Sequence, residues 1–242
     1  MESFKVFSTL HVAMLMVVAS TIVAAIAVRR RRRADAPPSR TEKHVAIAYV
    51  GLWIGTYIGL HFTSGFDPAS MYPLQMCHWC AVIAATSLAF PRRALRAVAY
   101  FCGLGLCTQA LITPSLTEGP ALYPFWFFWI SHGMVLGVPI YDVFARGYRP
   151  GWRDYGIACV AAIGYVAIAL AIDLATGWNY GFVGPGKPDT PSLVDFLGPW
   201  PGRLALIVLL AAAAMFVLLI PWLARARYAH PVGEVALPRQ ER

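Results

Sequence analysis

Two cysteines and two histidines carry most of the reactive potential of this chain. The stretch MYPLQMCHWCAV sets Cys77, His78 and Cys80 where a polar turn gives way to an apolar run. Cys77 falls four residues after Pro73, in the first turn of an expected helix. Unpaired backbone N–H groups and the positive end of the helix dipole favour a thiolate there. A nearby imidazole favours it further and can carry the proton. His78 is adjacent in sequence, but helical neighbours point about 100° apart, so it is a poor direct base. His132, in the SHG motif of a later apolar run, is the better partner, and Gly133 beside it leaves room for a close-approaching chain. A cysteine–histidine pair opening to lipid suits nucleophilic attack on an ester carbonyl, through a thioester.

The same residues allow other chemistry. Cys77-His78-Trp79-Cys80 is a C-x-x-C run at a helix start, the thiol–disulfide exchange arrangement. A membrane oxidoreductase of that kind, working with a lipid quinone, relays through a further cysteine pair in an outer loop, and the outer loops here hold none. No histidine follows Cys80, which excludes covalent haem attachment. Cys77, Cys80, His61, His78 and His132 could be imagined around a metal, but their spacing fits no recognised ligand pattern. Neither a metal nor another cofactor is therefore expected. A small-molecule transporter is the third class, though no repeated halves or matching interrupted spans are visible. Cys102, Cys107 and Cys159 read as small buried hydrophobes.

The elements that position these groups follow from composition. The chain has 242 residues, of which 58% are hydrophobic and 13% charged. A soluble domain of this length could not hide so much apolar surface. Seven apolar runs approach the ~20 residues that a membrane-crossing helix needs: 4–28, 44–62, 74–90, 94–113, 125–145, 155–175 and 204–223. Backbone groups inside hydrocarbon must bond within their own segment, so the runs are helices. The expected fold is an all-α polytopic membrane bundle. It comprises a first helix and basic linker (1–43), a six-helix core (44–224) and a tail (225–242).

The net charge of +8 does not point to nucleic acid, because of where the charge lies. Of the 20 basic residues, 17 follow the first, third, fifth and seventh runs, including Arg29 to Arg33. Lys5, Lys187 and Arg203 fall on the other side. This asymmetry sets the N-terminus outside and the C-terminus in the cytoplasm of a cell-membrane protein. The first run is too long, with its basic residues after the apolar core, to be a cleaved signal. Residues 176–203 form one long outer loop, in which PSLVDFLGPWPG suggests a short helix capped by Ser192, with Asp195 three residues on.

At ~1.5 Å per residue, Cys77 lies about 5 Å inside the outer end of its helix, Gln109 about 6 Å and His132 about 10 Å. His61 closes the second run on that side, and Asp173 and Asn179 mark the outer end of the sixth. Tyr72, Gln75 and His78 flank Cys77. Polar groups in a membrane are costly and usually face a cavity or a partner. Contributions from several runs at one depth predict a single pocket open to the outer leaflet.

Five segments carry a family resemblance: YPLQMC, QALITP, PFWFFWISHG, NYGFVGP and LGPWPG, in this order. Together the chain from residue 71 to the last run resembles the YwaF-type bacterial membrane proteins, relatives of the transmembrane protein 164 acyltransferases. The wider group is similar to the androgen-induced membrane lipid hydrolases, which use a threonine and a histidine in the bilayer. The resemblance implies a cysteine nucleophile at Cys77, a histidine at His132, and acyl transfer among phospholipids through an enzyme-bound thioester. It sets Gln109 and Asn179 on motif positions that orient the histidine or the substrate. Two departures stand out: His78 follows the cysteine where relatives often carry an acid, and Gly181 follows NY where relatives often carry methionine.

Overall fold

A computed structural model describes residues 4–62, 66–186 and 196–228. Of the Ser192-capped helix expected at 191–202, residues 191–195 lie outside them, Ser192 and Asp195 included, as do Lys187, Arg239 and Arg242. Every regular element among the described residues is helical. In chain order these are α1 (Thr9–Arg29), α2 (Arg40–His61), α3 (Pro68–Met71), α4 (Met76–Ala89), α5 (Arg93–Val98), a π-helical segment (Ala99–Leu104), α6 (Gly105–Cys107), α7 (Gln109–Ile112), α8 (Tyr123–Arg146), α9 (Trp152–Thr176), a 3₁₀ turn (Tyr180–Phe182) and α10 (Gly202–Tyr228).

Local chemistry sets the boundaries. Ser8 caps α1 by accepting from the His11 N–H, and Ser39 forms a reciprocal capping box with Glu42 at the start of α2. Pro124 opens α8, and Gly147 closes it in the left-handed conformation (φ 69°). Gly177 ends α9 in the same way (φ 77°).

Among the described residues, four helices are long and apolar enough to cross a membrane: α1, α8, α9 and α10. The other three expected runs are also helical, with differences that have local causes. α2 spends its first turn on Arg40, Glu42 and Lys43, while α4 is a shorter apolar helix bounded by the Tyr72–Gln75 turn and by Pro91. The fourth run is broken into α5, the π segment, α6 and α7.

α4 sits centrally, packed against α2 and α8, while α1 lies along α8 and α10 along α6 and α9. Its inner face is Cys80, Ala81, Ala84 and Ala85, all essentially inaccessible. Small side chains at this spacing let neighbouring backbones approach closely. The approach of the π segment to α8 is closer still. A Cβ on Gly103 would sit 2.9 Å from the Val135 carbonyl oxygen, so only glycine fits.

The far end of α4 meets a buried ion-pair network that the apolar runs of the sequence do not announce. Arg146 Nη2 donates to Glu42 Oε1 (2.9 Å) and to the Leu88 carbonyl (2.7 Å), and Arg146 Nη1 donates to Asp142 Oδ1 (3.1 Å). Arg96 Nε reaches Asp142 Oδ2 at 3.1 Å, and Arg29 Nε lies 3.4 Å from Glu42. Arg93 grips Asp154 with two bonds, at 2.7 and 2.8 Å. The Tyr141 hydroxyl donates to Glu42 as well. Burial alone would push the Glu42 carboxyl up. The bonds from Tyr141 and Ser39 and the charge of Arg146 outweigh it and hold the group at about 2. These pairs tie α1, α2, α4, α5, α8 and α9 together at one end.

Candidate functional site

The opposite end of α4 carries the reactive groups. Gln75 is the N-cap of α4 and supplies no side-chain cap; its carbonyl accepts from the His78 N–H (3.0 Å), and no side chain caps the first turn. Cys77 is half-buried and packs against the core cluster that contains Cys80, Cys107 and Val135. Its thiol is close enough to interact with His132 of α8 and with Cys107 of α6.

The state of His132 follows from its hydrogen bonding. The side chain is 7% exposed, and Nδ1 lies 2.9 Å from the Phe128 carbonyl oxygen. A carbonyl only accepts, so Nδ1 carries the proton. In the neutral ring the lone pair therefore belongs to Nε2, which is buried and makes no hydrogen bond. Phe128 also packs on the imidazole, with ring centroids 4.1 Å apart, and fixes its plane. An oriented, unengaged base beside a thiol is the arrangement that activates a cysteine.

His78 packs on α2 beside this pair. Its ring stacks edge-on against Tyr57 of α2 (5.5 Å), and its buried Nδ1 has no hydrogen-bond partner. It is near enough to His132 for the two to interact electrostatically. Gln75 Oε1 accepts from the Gly181 N–H at 3.3 Å, which leaves its amide –NH₂ uncommitted to that bond. Asn179 precedes the same turn, and both its side-chain oxygen and nitrogen are buried without partners.

Tyr72 and His61 belong to an aromatic collar above the site rather than to the site itself. His61 is exposed and packs on Phe66 (5.1 Å), Phe66 on Tyr72 (5.1 Å), and Tyr72 on Trp178 (6.0 Å). Gln109 is exposed on α7, where its carbonyl accepts from the Thr113 N–H (2.9 Å). The structure thus gathers Cys77, His132, His78 and Gln75 closely, and sets Tyr72, His61 and Gln109 further out.

Three participants were not legible as such in the sequence. Cys107 is buried, as expected for a small hydrophobe, but it touches both Cys77 and Cys80. Tyr165 of α9 lies near Cys77, Cys80 and Cys107, and its hydroxyl donates to the Leu74 carbonyl (2.9 Å). Tyr180 is fully buried, and its hydroxyl accepts from the Tyr72 N–H (3.1 Å) and donates to the Pro68 carbonyl. It pins the NYGF turn onto the segment before α4. The departure at Gly181 has a reason here. Its φ is 64°, and a Cβ would lie 2.8 Å from the Tyr165 hydroxyl, so no larger residue fits this turn.

A groove of about 270 Å³ opens between α4 and α9, with Val98 and Cys102 at its side. Its lining is almost wholly apolar, and Cys80 and Tyr165 belong both to the groove and to the thiol cluster. Among the described residues, no three His, Cys, Asp or Glu side chains converge as a metal ion requires.

No curated protein and no solved structure matches the chain. The sequence profile of the TMEM164 family matches residues 6–219, from the N-terminal helix through the first two thirds of α10. The match takes in every group of the site just described, and the chain belongs to the TMEM164 family.

Proposed function

We propose that this protein is a lipid acyltransferase of the cell membrane, of the YwaF-type branch. We further infer seven spans, with the thiol end of the bundle toward the outer leaflet and the arginine end in the cytoplasm. One observation carries the chemical reading. His132 is locked with Nδ1–H toward Phe128, and its unengaged Nε2 is buried beside Cys77, on the helix whose Cys80, one turn on, lines an apolar groove.

In this reading His132 Nε2 takes the Cys77 thiol proton as the sulfur attacks an acyl ester carbonyl. Uncapped N–H groups of α4 and the Gln75 amide steady the oxyanion. Collapse expels the lysolipid oxygen, which takes the proton from His132, and leaves a Cys77 thioester. An acceptor hydroxyl then gives its proton to His132, attacks the thioester and restores the thiol; water in that role gives hydrolysis. The acyl chain lies in the groove between α4 and α9. The buried charge at the opposite end gives the basic flank a fixed platform, and the positive-inside bias supports the orientation.

Acyl exchange between a labelled diacyl phospholipid and a lysophospholipid, measured in proteoliposomes, tests this. Cys77→Ser and His132→Ala should each abolish exchange, and Cys80→Ser should retain it. A thiol–disulfide oxidoreductase is the second reading, favoured by the contact of three sulfurs in one cluster. It predicts quinone-coupled dithiol oxidation that needs both Cys77 and Cys80. Exchange that survives Cys77→Ser contradicts the first reading.

A further inference from the structure

Acyl transfer as derived above uses one sulfur, yet the structure sets two more beside it. Cys107 is 1% exposed and interacts with Cys77 and Cys80 from a neighbouring element, since α6 packs on α4. The π-helical segment puts it there. On a regular α-helix, residues five apart point about 140° away from each other. The wider turn over Ala99–Leu104 takes up the extra residue, so Cys102 and Cys107 both face the interior. Gly103, which permits the close contact of this segment with Val135, holds the distortion against α8.

We propose that Cys107 is the resolving thiol of Cys77, and that hydroperoxide oxidation of the site closes a Cys77–Cys107 disulfide. Cys77 is the half-exposed member of the cluster, whereas Cys80 and Cys107 are buried, so an oxidant entering from outside meets Cys77 first. The Cys77 thiolate attacks the peroxide, cleaves its O–O bond and becomes a sulfenic acid as hydroxide leaves. The Cys107 sulfur then attacks the sulfenic sulfur. Its proton and the departing hydroxyl leave as water, so two thiols and one peroxide yield one disulfide and two waters. The bond joins α4 to α6, blocks the nucleophile reversibly and diverts it from sulfinic acid, which thiols do not restore. Loss of acyl transfer on oxidation rests on the function proposed above; formation of the bond does not.

Peptide mapping of the purified full chain after hydrogen peroxide, with and without dithiothreitol, tests this directly. The expected product is a linked peptide pair containing Cys77 and Cys107, in wild type and in Cys80→Ser, reversed by the reductant. In Cys107→Ser, Cys77 should instead gain two oxygens and not recover. A Cys77–Cys80 link as the main product overturns the proposal. So does sulfinic Cys77 in the wild type without a link, or Cys77 left unmodified. The wild-type map needs no variant to fold, and a hydroxylamine-labile acyl group on untreated Cys77 reports separately on the acyl-transfer reading.

Discussion

The two ends of α4 treat buried polarity in opposite ways. At the arginine end each buried carboxylate is satisfied: Glu42 by Arg146, Tyr141 and Ser39, Asp142 by Arg96 and Arg146, and Asp154 by Arg93 and Gly151. At the thiol end His132 Nε2, His78 Nδ1 and both polar atoms of Asn179 are buried and unpaired. Leaving such groups without partners costs roughly 1–3 kcal/mol each. The arginine end also holds buried atoms without hydrogen bonds, Arg29 Nε and Arg96 Nη2 among them, but they belong to side chains already paired with carboxylates, whereas the imidazoles and the amide at the thiol end face no charge partner. The two ends lie roughly 15–20 Å apart along α4 and α8, so they should be separable by mutation.

Breaking the arginine end should give the largest stability effect. Arg146→Met leaves Glu42 and Asp142 buried beside lost partners and is expected to cost about 3–5 kcal/mol. Its checks are the thermal midpoint in detergent and acyl exchange per folded molecule, the second of which should hold. Next comes Gly103→Ala, which drives a Cβ to within 2.9 Å of a backbone oxygen. It should cost about 1–3 kcal/mol and lower the yield of the Cys77–Cys107 link after hydrogen peroxide, because the π segment must shift. His132→Gln should do the reverse of Arg146→Met. Its exchange rate should fall by about 10²-fold or more, while its thermal midpoint moves little. The smallest effect is a pH dependence. Glu42 titrates lower in the fold than its ordinary 4.5, so its stabilisation is present above about 4.5 and is lost as the pH falls toward about 2. Glu42→Gln should flatten that part of the stability–pH curve.

Much of this was readable from residue order. The apolar runs of 4–28, 125–145 and 155–175 are long, and each coincides with one continuous helix, at Thr9–Arg29, Tyr123–Arg146 and Trp152–Thr176. Depth set Cys77 and His132 toward the same end of the bundle, because helical rise converts residue number into position. The rest depended on winding and rotation. Cys107 looked like any buried small residue because a regular helix would not bring it into line with Cys102; only the π segment does so. Asp142 was overlooked three residues from the end of an apolar run, where nothing local announces that Arg96 and Arg146 will meet it. Gln109 illustrates the converse. Depth put it level with the site, but rotation on the short α7 turns it outward.

The most direct measurement is the intact and site-resolved mass of the protein after incubation with diacyl phospholipid vesicles. The expected result is an acyl-sized adduct on Cys77 that hydroxylamine removes, present in wild type and Arg146→Met and lost in His132→Ala. An adduct that forms equally well without His132, or that resides on Cys80 or Cys107 while Cys77 stays free, would contradict the division of labour between the two ends.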